Sequence, residues 1–430
     1  MTQQDAGNRT AADYLIASKR CDIHGLEQLL DTGRLVVAVS NLIHALQRER
    51  GAANVYLASG GRRFARDLPG LRQAALKQER QFRARLTGID PAAGAMPGAS
   101  RLYSRVAYAI HGLDELRSVR EEVRGLRLDP ESVVEGYSQL IHGLLAVVFE
   151  AADSAVDPDI SRLLVAMFHL MQGKELAGRE RAIGAGAFAR GEFGERLTER
   201  LRHLIDNQER CFEIFTGFAD DPSLATWRRI GAGEASTELE RLRRKACTAP
   251  PEQPADPDRA DRWFEEASRR IDGLKQVEDQ LEGSLEHLCA RKLEAARDDL
   301  DCHEQHLEAL AGKPDEPAAF AVFFDGGGAA AGTATYTTDV ASPQLGRSLV
   351  DLVQSQSVRL QRMSEELDEA RTALAERKTV ERAKGLVMQH RGMTEEEAYR
   401  FLRQVAMAQS RRLADVASDA VAMVDLLREA

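Results

Sequence analysis

The sequence predicts an all-α protein, and three observations carry that expectation. Apolar residues recur at i, i+3, i+4 spacing through most of the chain, and alternating β-type stretches are scarce, with Phe320 to Phe324 the one short candidate. Pro and Gly cluster between the periodic runs, around Pro91–Gly98 and Pro250–Pro257, where helices would end and turn. Hydrophobic residues make up 43% of the chain but aromatic residues only 5%, a composition suited to cores of aliphatic helix faces.

Taken in order, the runs Leu35 to Leu57, Leu102 to Leu126, Pro130 to Ala151, Ile160 to Ala187, Phe193 to Phe218 and Pro257 to Leu310 carry the helical period. They define a body over 15–310 that reads as one or two packed bundles, with two of four-helix type expected. Residues 311–345, including Asp325-Gly326-Gly327-Gly328-Ala329-Ala330-Ala331-Gly332, lose that period and read as a flexible linker. Next, Leu349, Val353, Gln356, Leu360, Met363, Leu367, Ala370 and Leu374 alternate steps of four and three, the a/d seam of a coiled-coil helix over 346–376. Gln356 is its polar position, and a lone helix of this length is marginal in water, so it pairs with a second copy or with the body.

The last segment, 370–427, parses into three helices. Gly392 is suited to end the first, and Thr394 with Glu397 forms a capping box that starts the second. Ala398, Phe401, Leu402, Val405 and Ala406 share one stripe, and Leu413, Val416, Ala417, Ala420, Val421 and Val424 repeat it, so a small three-helix core is expected.

Charge separates this segment from the rest. The chain has 68 Asp and Glu against 58 Lys and Arg, a net charge of −10. Yet Arg377, Lys378, Arg382, Lys384, Arg391, Arg400, Arg403, Arg411 and Arg412 face only Glu381, Glu395, Glu396 and Glu397 between Arg377 and Arg412. A basic module on an acidic chain is expected to meet a polyanion through counterion release, although a charge run by itself is also what a solvated helix face looks like.

In the body, Gln47-Arg48-Glu49-Arg50-Gly51-Ala52 is echoed by Gly178-Arg179-Glu180-Arg181-Ala182. Residues i and i+2 point to different faces of a helix, so one arginine of each pair can enter a core while its companion stays solvated. A buried guanidinium requires an anion, and a small planar oxyanion accepts paired N–H donors from two of them. The competing reading is that Glu49 and Glu180 neutralise these arginines internally.

Catalysis finds no support, since no Gly-rich phosphate loop, HExxH or G-x-S-x-G is present. No cofactor is expected. The cysteines Cys21, Cys211, Cys247, Cys289 and Cys302 are scattered without a CxxC pair, as in a reducing cytoplasm, and His287, Cys289, Cys302, His303 and His306 lack metal-site spacing. No basic start precedes an apolar run and no stretch reaches eighteen apolar residues, so a soluble cytoplasmic protein without a membrane partner is expected.

Two resemblances sharpen these expectations. Residues 370–427 resemble the ANTAR domain through Glu376-Arg377-Lys378, Val380-Glu381-Arg382-Ala383-Lys384-Gly385, Gly392-Met393, Glu397-Ala398-Tyr399, Leu402-Arg403 and Arg412-Leu413-Ala414-Asp415-Val416-Ala417. The likeness implies binding, as a homodimer, to paired stem-loops in a leader mRNA so that a terminator hairpin cannot form. It places Arg377, Lys378, Arg382, Lys384, Arg403 and Arg412 on phosphates and loops, with Tyr399 as a stacking platform or, alternatively, a half-buried helix aromatic.

The body resembles the NIT nitrate- and nitrite-sensing domain through Leu46-Gln47-Arg48-Glu49-Arg50-Gly51, Met171-Gln172-Gly173-Lys174-Glu175-Leu176-Ala177-Gly178-Arg179-Glu180-Arg181-Ala182 and Leu242-Arg243-Arg244. That implies nitrate or nitrite as ligand, with Arg50 and Arg181, then Arg48 and Arg243, as its contacts; Arg179 stands where the family commonly has Gln. Together the two likenesses imply a nitrate-responsive transcription antiterminator governing nitrate assimilation. A DNA-binding regulator and a helical adaptor for protein partners are the alternatives. Because a flexible linker transmits no torque, the signal is expected to act by docking or releasing the basic module.

Overall fold

A computed structural model describes residues 11–88, 99–190, 195–248, 258–311, 320–322, 334–336 and, with isolated gaps at 363, 365–366, 368–370, 373, 394 and 410, 361–429. The helices in order are α1 (Ala11–Ala58), α2 (Leu68–Leu86), α3 (Ala99–Arg124), α4 (Pro130–Ser154), α5 (Pro158–Arg190), α6 (Glu195–Phe218), α7 (Asp221–Gly231), α8 (Glu234–Thr248) and α9 (Asp258–Ala311). A short antiparallel ribbon follows, β1 (Phe320–Val322) with β2 (Ala334–Tyr336), in which Phe320 lies opposite Tyr336. Helix α10 covers 374–391 and precedes α11 (Glu395–Ala408) and α12 (Leu413–Glu429). The fold is all-α, as the periodicity predicts.

Local chemistry sets several boundaries. Asp129 caps α4 by accepting from the Ser132 backbone N–H at 2.8 Å, and Pro130 occupies the first helical position, where its missing N–H costs nothing. Asp157 does the same for α5, accepting from the Ile160 N–H at 3.1 Å ahead of Pro158. A connection as short as Ala155–Asp157 turns α5 back against α4, antiparallel. Gly392 takes φ +62° and ends α10, as its sequence position suggests. The Thr394 capping box and most of the coiled-coil seam, including Gln356, lie outside the described residues; of that seam, Leu367 and Leu374 are buried.

The chain divides into two compact units. In the unit of residues 1–30 and 287–366, the start of α1 and the end of α9 are joined by Lys19–Asp299 at 2.5 Å, Arg297–Glu27 at 2.6 Å and Arg20–Glu304 at 3.0 Å.

The unit of residues 31–286 and 367–430 holds the main core, where Leu35, Leu42, Ile43 and Leu46 of α1 and Val133, Ile141, Leu144 and Val148 of α4 are inaccessible to solvent. Near the end of α5, Trp263 packs on Phe188 with ring centroids 5.5 Å apart and donates its indole N–H to the Arg181 carbonyl at 3.3 Å. Ala383, Leu402, Ala406, Val416 and Ala417 form the predicted small core shared by α10, α11 and α12. By length and hydropathy alone α1 and α4 could cross a membrane, but 61% and 50% of their most apolar windows are buried inside the protein, which is what makes them apolar here.

Candidate functional site

The two R-E-R segments meet where α1 and α5 cross. Gly51 and Gly178 explain how: a Cβ on Gly51 would stand 2.7 Å from Nη2 of Arg181, and one on Gly178 would stand 2.8 Å from Nη2 of Arg50. Each guanidinium therefore lies over the glycine of the opposite helix, in space that any larger residue would take.

The two arginines differ in what holds them. Arg50 is 3% exposed and forks Glu175, with Nη1 to Oε1 at 2.5 Å and Nη2 to Oε2 at 3.1 Å, while Nη1 also donates to Ser138 Oγ at 2.6 Å. Gln47 Nε2 donates to the same carboxylate at 2.9 Å. Arg181 has no ion pair among the described residues; its Nη1 donates to Ser268 Oγ at 3.0 Å and its guanidinium lies 4.9 Å over the Phe264 ring. A sliver of its side chain reaches solvent, yet burial, and then the charge of Arg50, push its pKa down to about 10. A buried cation destabilised by a like charge is a position where an added anion gains most.

The expectation that Glu49 and Glu180 act as internal counterions holds, but toward other arginines. Arg120 of α3 forks Glu49 at 2.8 and 2.7 Å, and Arg243 of α8 forks Glu180 at 2.7 and 2.6 Å. Neither glutamate neutralises an arginine of its own segment. Arg243 also donates to Glu240 at 2.5 Å and Gln208 at 3.0 Å, so its donors are engaged inside the protein. Arg48 is exposed beside buried Arg50, the division that i, i+2 spacing predicts, whereas Arg179 and Arg181 are both half-buried. Beneath the crossing, Lys174 pairs with Glu278 with neither side chain accessible, and Glu278 also accepts from Ser40.

Four partners escaped the sequence reading: Glu175, Ser138, Ser268 and Arg120. Glu175 lies inside the quoted Met171–Ala182 segment, six residues before Arg181. The others have no local signal.

The second group of residues lies on α10–α12. Tyr399 is 6% exposed: its hydroxyl accepts from Arg210, and its ring meets His203 edge-on at 4.7 Å. Arg403 pairs with Asp206 at 2.7 Å and Arg400 with Glu199 at 3.3 Å. Glu199, His203, Asp206 and Arg210 are spaced by four, three and four residues, one face of α6, so a single stripe receives α11. Tyr399 is thus more buried than the half-buried helix aromatic that is one of its two sequence readings.

Lys384, which the resemblance places on RNA, is 7% exposed and pairs with Glu381 at 2.8 Å. Arg377 shares Glu381 at 3.1 Å, and Arg412 pairs with Glu376 at 2.9 Å and Asp415 at 3.1 Å. Lys378 and Arg382 are exposed. Between these helices and α3–α6 runs a cleft of about 1240 Å³, with Ser138 and Glu175 on one wall and Arg377, Lys384 and Arg412 on the other. Among the described residues no His, Cys, Asp and Glu cluster could hold a metal.

Comparison with known proteins agrees with these features. The family described as nitrate and nitrite sensing (NIT) matches residues 41–286, and the ANTAR domain matches residues 368–421. The chain is similar to the nitrate regulatory protein of Klebsiella oxytoca, 35% identical over 414 residues that cover 96% of this chain and 95% of that protein. It is similar as well to the solved structure of the NasR transcription antiterminator, with TM-score 0.59 and 33% identity over 96% of this chain and 99% of that one.

Proposed function

The chain belongs to the nitrate-responsive transcription antiterminators in which a NIT sensing domain is joined to an RNA-binding ANTAR domain, and from that premise we propose how its parts divide the work. It is a regulator and not an enzyme. Nitrate or nitrite binds at the α1–α5 crossing between Arg50 and Arg181, and no cofactor takes part. The observation that carries this reading is the destabilised Arg181 guanidinium, without an ion pair among the described residues, set against Gly51 beside Arg50. Arg243 serves as the counterion of Glu180, holding α8 on α5 behind the pocket, and Arg48 adds positive potential from the surface.

The sensor spans 15–310, the linker 311–345, the coiled-coil helix 346–376 and the RNA-binding module 370–427. In the cytoplasm, a homodimer presents two such modules to paired stem-loops in a leader mRNA of nitrate-assimilation genes and keeps the terminator from forming. Arg377, Lys378, Arg382, Lys384, Arg403 and Arg412 meet phosphates and loops, and Tyr399 stacks on an unpaired base. In the absence of nitrate, α6 covers Tyr399 and Arg403; anion binding at the α1–α5 crossing shifts the population toward a released module. Support for this comes from the Arg210–Tyr399 hydrogen bond and the Arg403–Asp206 and Arg400–Glu199 pairs.

Thermal unfolding in nitrate against equal chloride tests the pocket. At a hundred times its dissociation constant the ligand adds about 2.7 kcal/mol of stability by mass action. Arg181→Ala abolishes that difference; an undiminished response would place the site elsewhere.

A further inference from the structure

Glu175 stands in the pocket as an anion the protein supplies for itself. It is 7% exposed, takes two donors of Arg50 and is fixed from behind by Gln47. Its charge also reaches Arg181, on which it makes no direct ion pair; exposed Asp272 acts on that guanidinium only through space. At the crossing itself buried Arg50 and half-buried Arg181 therefore share one buried carboxylate, with Asp272 the larger but solvent-exposed negative influence on Arg181. Glu175 and Ser138, the two groups that hold Nη1 of Arg50, also line the cleft.

We infer that Glu175 determines both the threshold and the charge selectivity of the anion site: its carboxylate competes with the ligand for the donors of Arg50, and it leaves room for one negative charge only. A planar monoanion completes the pocket by joining the open donors of Arg181 to those Arg50 can give up. A divalent tetrahedral anion such as sulfate brings one charge too many into a largely buried site, and uncompensated buried charge is disfavoured. This inference rests on the Arg50–Arg181 reading of the pocket and adds to it a residue that weakens binding so as to make it selective.

Calorimetric titration of the full chain with sodium nitrate and with sodium sulfate at constant ionic strength tests it. Wild type binds nitrate and not sulfate. Glu175→Gln, with the charge gone, binds nitrate about ten- to a hundredfold more tightly, the range of one charge-assisted hydrogen bond, and now takes sulfate. Glu175→Asp keeps the charge but withdraws the carboxylate by one carbon–carbon bond, so it tightens nitrate binding while still refusing sulfate. It carries the test alone if Glu175→Gln does not fold without anion. Nitrate affinity in the folded variants equal to or weaker than wild type overturns the inference, as does a Glu175→Gln protein that still excludes sulfate. Arg181→Ala, titrated alongside, separates the two levels: if it retains wild-type nitrate binding the pocket reading falls with the inference, and if it loses binding while the Glu175 variants match wild type, the role of Glu175 alone falls.

Discussion

Reversing the charge of α6 where it receives α11 should free the RNA-binding face without nitrate. The double substitution Asp206→Arg, Glu199→Arg turns two attractions, to Arg403 at 2.7 Å and Arg400 at 3.3 Å, into repulsions. The side chains of these pairs are 40% to 51% exposed, so each is worth only a fraction of a kcal/mol to about 1 kcal/mol, and reversal about doubles the change. Two positions then shift the docked-to-free balance by about 1–4 kcal/mol, which is about five- to several-hundred-fold. Leader-RNA affinity measured without nitrate should rise by a factor in that range, limited by the fraction docked in wild type. Transcription through the terminator should become nitrate-independent, and adding Arg400→Glu should restore part of the control by re-forming one pair with reversed polarity. A folded double variant whose RNA affinity without nitrate equals wild type would refute the docking argument.

Further outcomes follow from single features. Gly178→Ala and Gly51→Ala each place a methyl group within 2.8 Å of a guanidinium nitrogen, so nitrate-dependent stabilisation should fall sharply while helix content by circular dichroism is retained. Lys174→Met removes the nearer of two cations on buried Glu278, leaving Lys275 at 3.9 Å, and should lower stability to denaturant by less than the about 3–5 kcal/mol of a fully unpaired buried charge, with Lys174→Met, Glu278→Met recovering most of the loss. His169 is inaccessible, neither ring nitrogen has a hydrogen-bond partner among the described residues, and burial, followed by the charge of Arg377, lowers its pKa to about 3. The unfolded chain then binds the extra proton below about pH 6.5, so this residue withdraws stability at about 1.4 kcal/mol per pH unit as pH falls from about 6.5 toward about 3. Unfolding midpoints of wild type and His169→Phe, measured across that window, should diverge in slope accordingly.

What the sequence determined by itself is whatever local rules control. Apolar spacing set the helices, Asp-Pro and Gly set their ends, and the stripes on α11 and α12 identified the core at Leu402, Ala406, Val416 and Ala417 before any fold was known. The i, i+2 rule separated buried Arg50 from exposed Arg48, and the motif residues themselves announced the two domains.

Pairing across distance was decided only by the tertiary structure. Arg120 meets Glu49 from 71 positions away and Glu175 meets Arg50 from 125, and nothing in either local pattern selects those partners. Tyr399 and Lys384 belong to the basic module by sequence, yet their burial depends on α6 and on neighbouring helices. The physical reason is common to all of them: a helical period fixes which face of a segment a residue occupies, but the energy of a charge depends on what the crossing helices bring within a few ångströms of it.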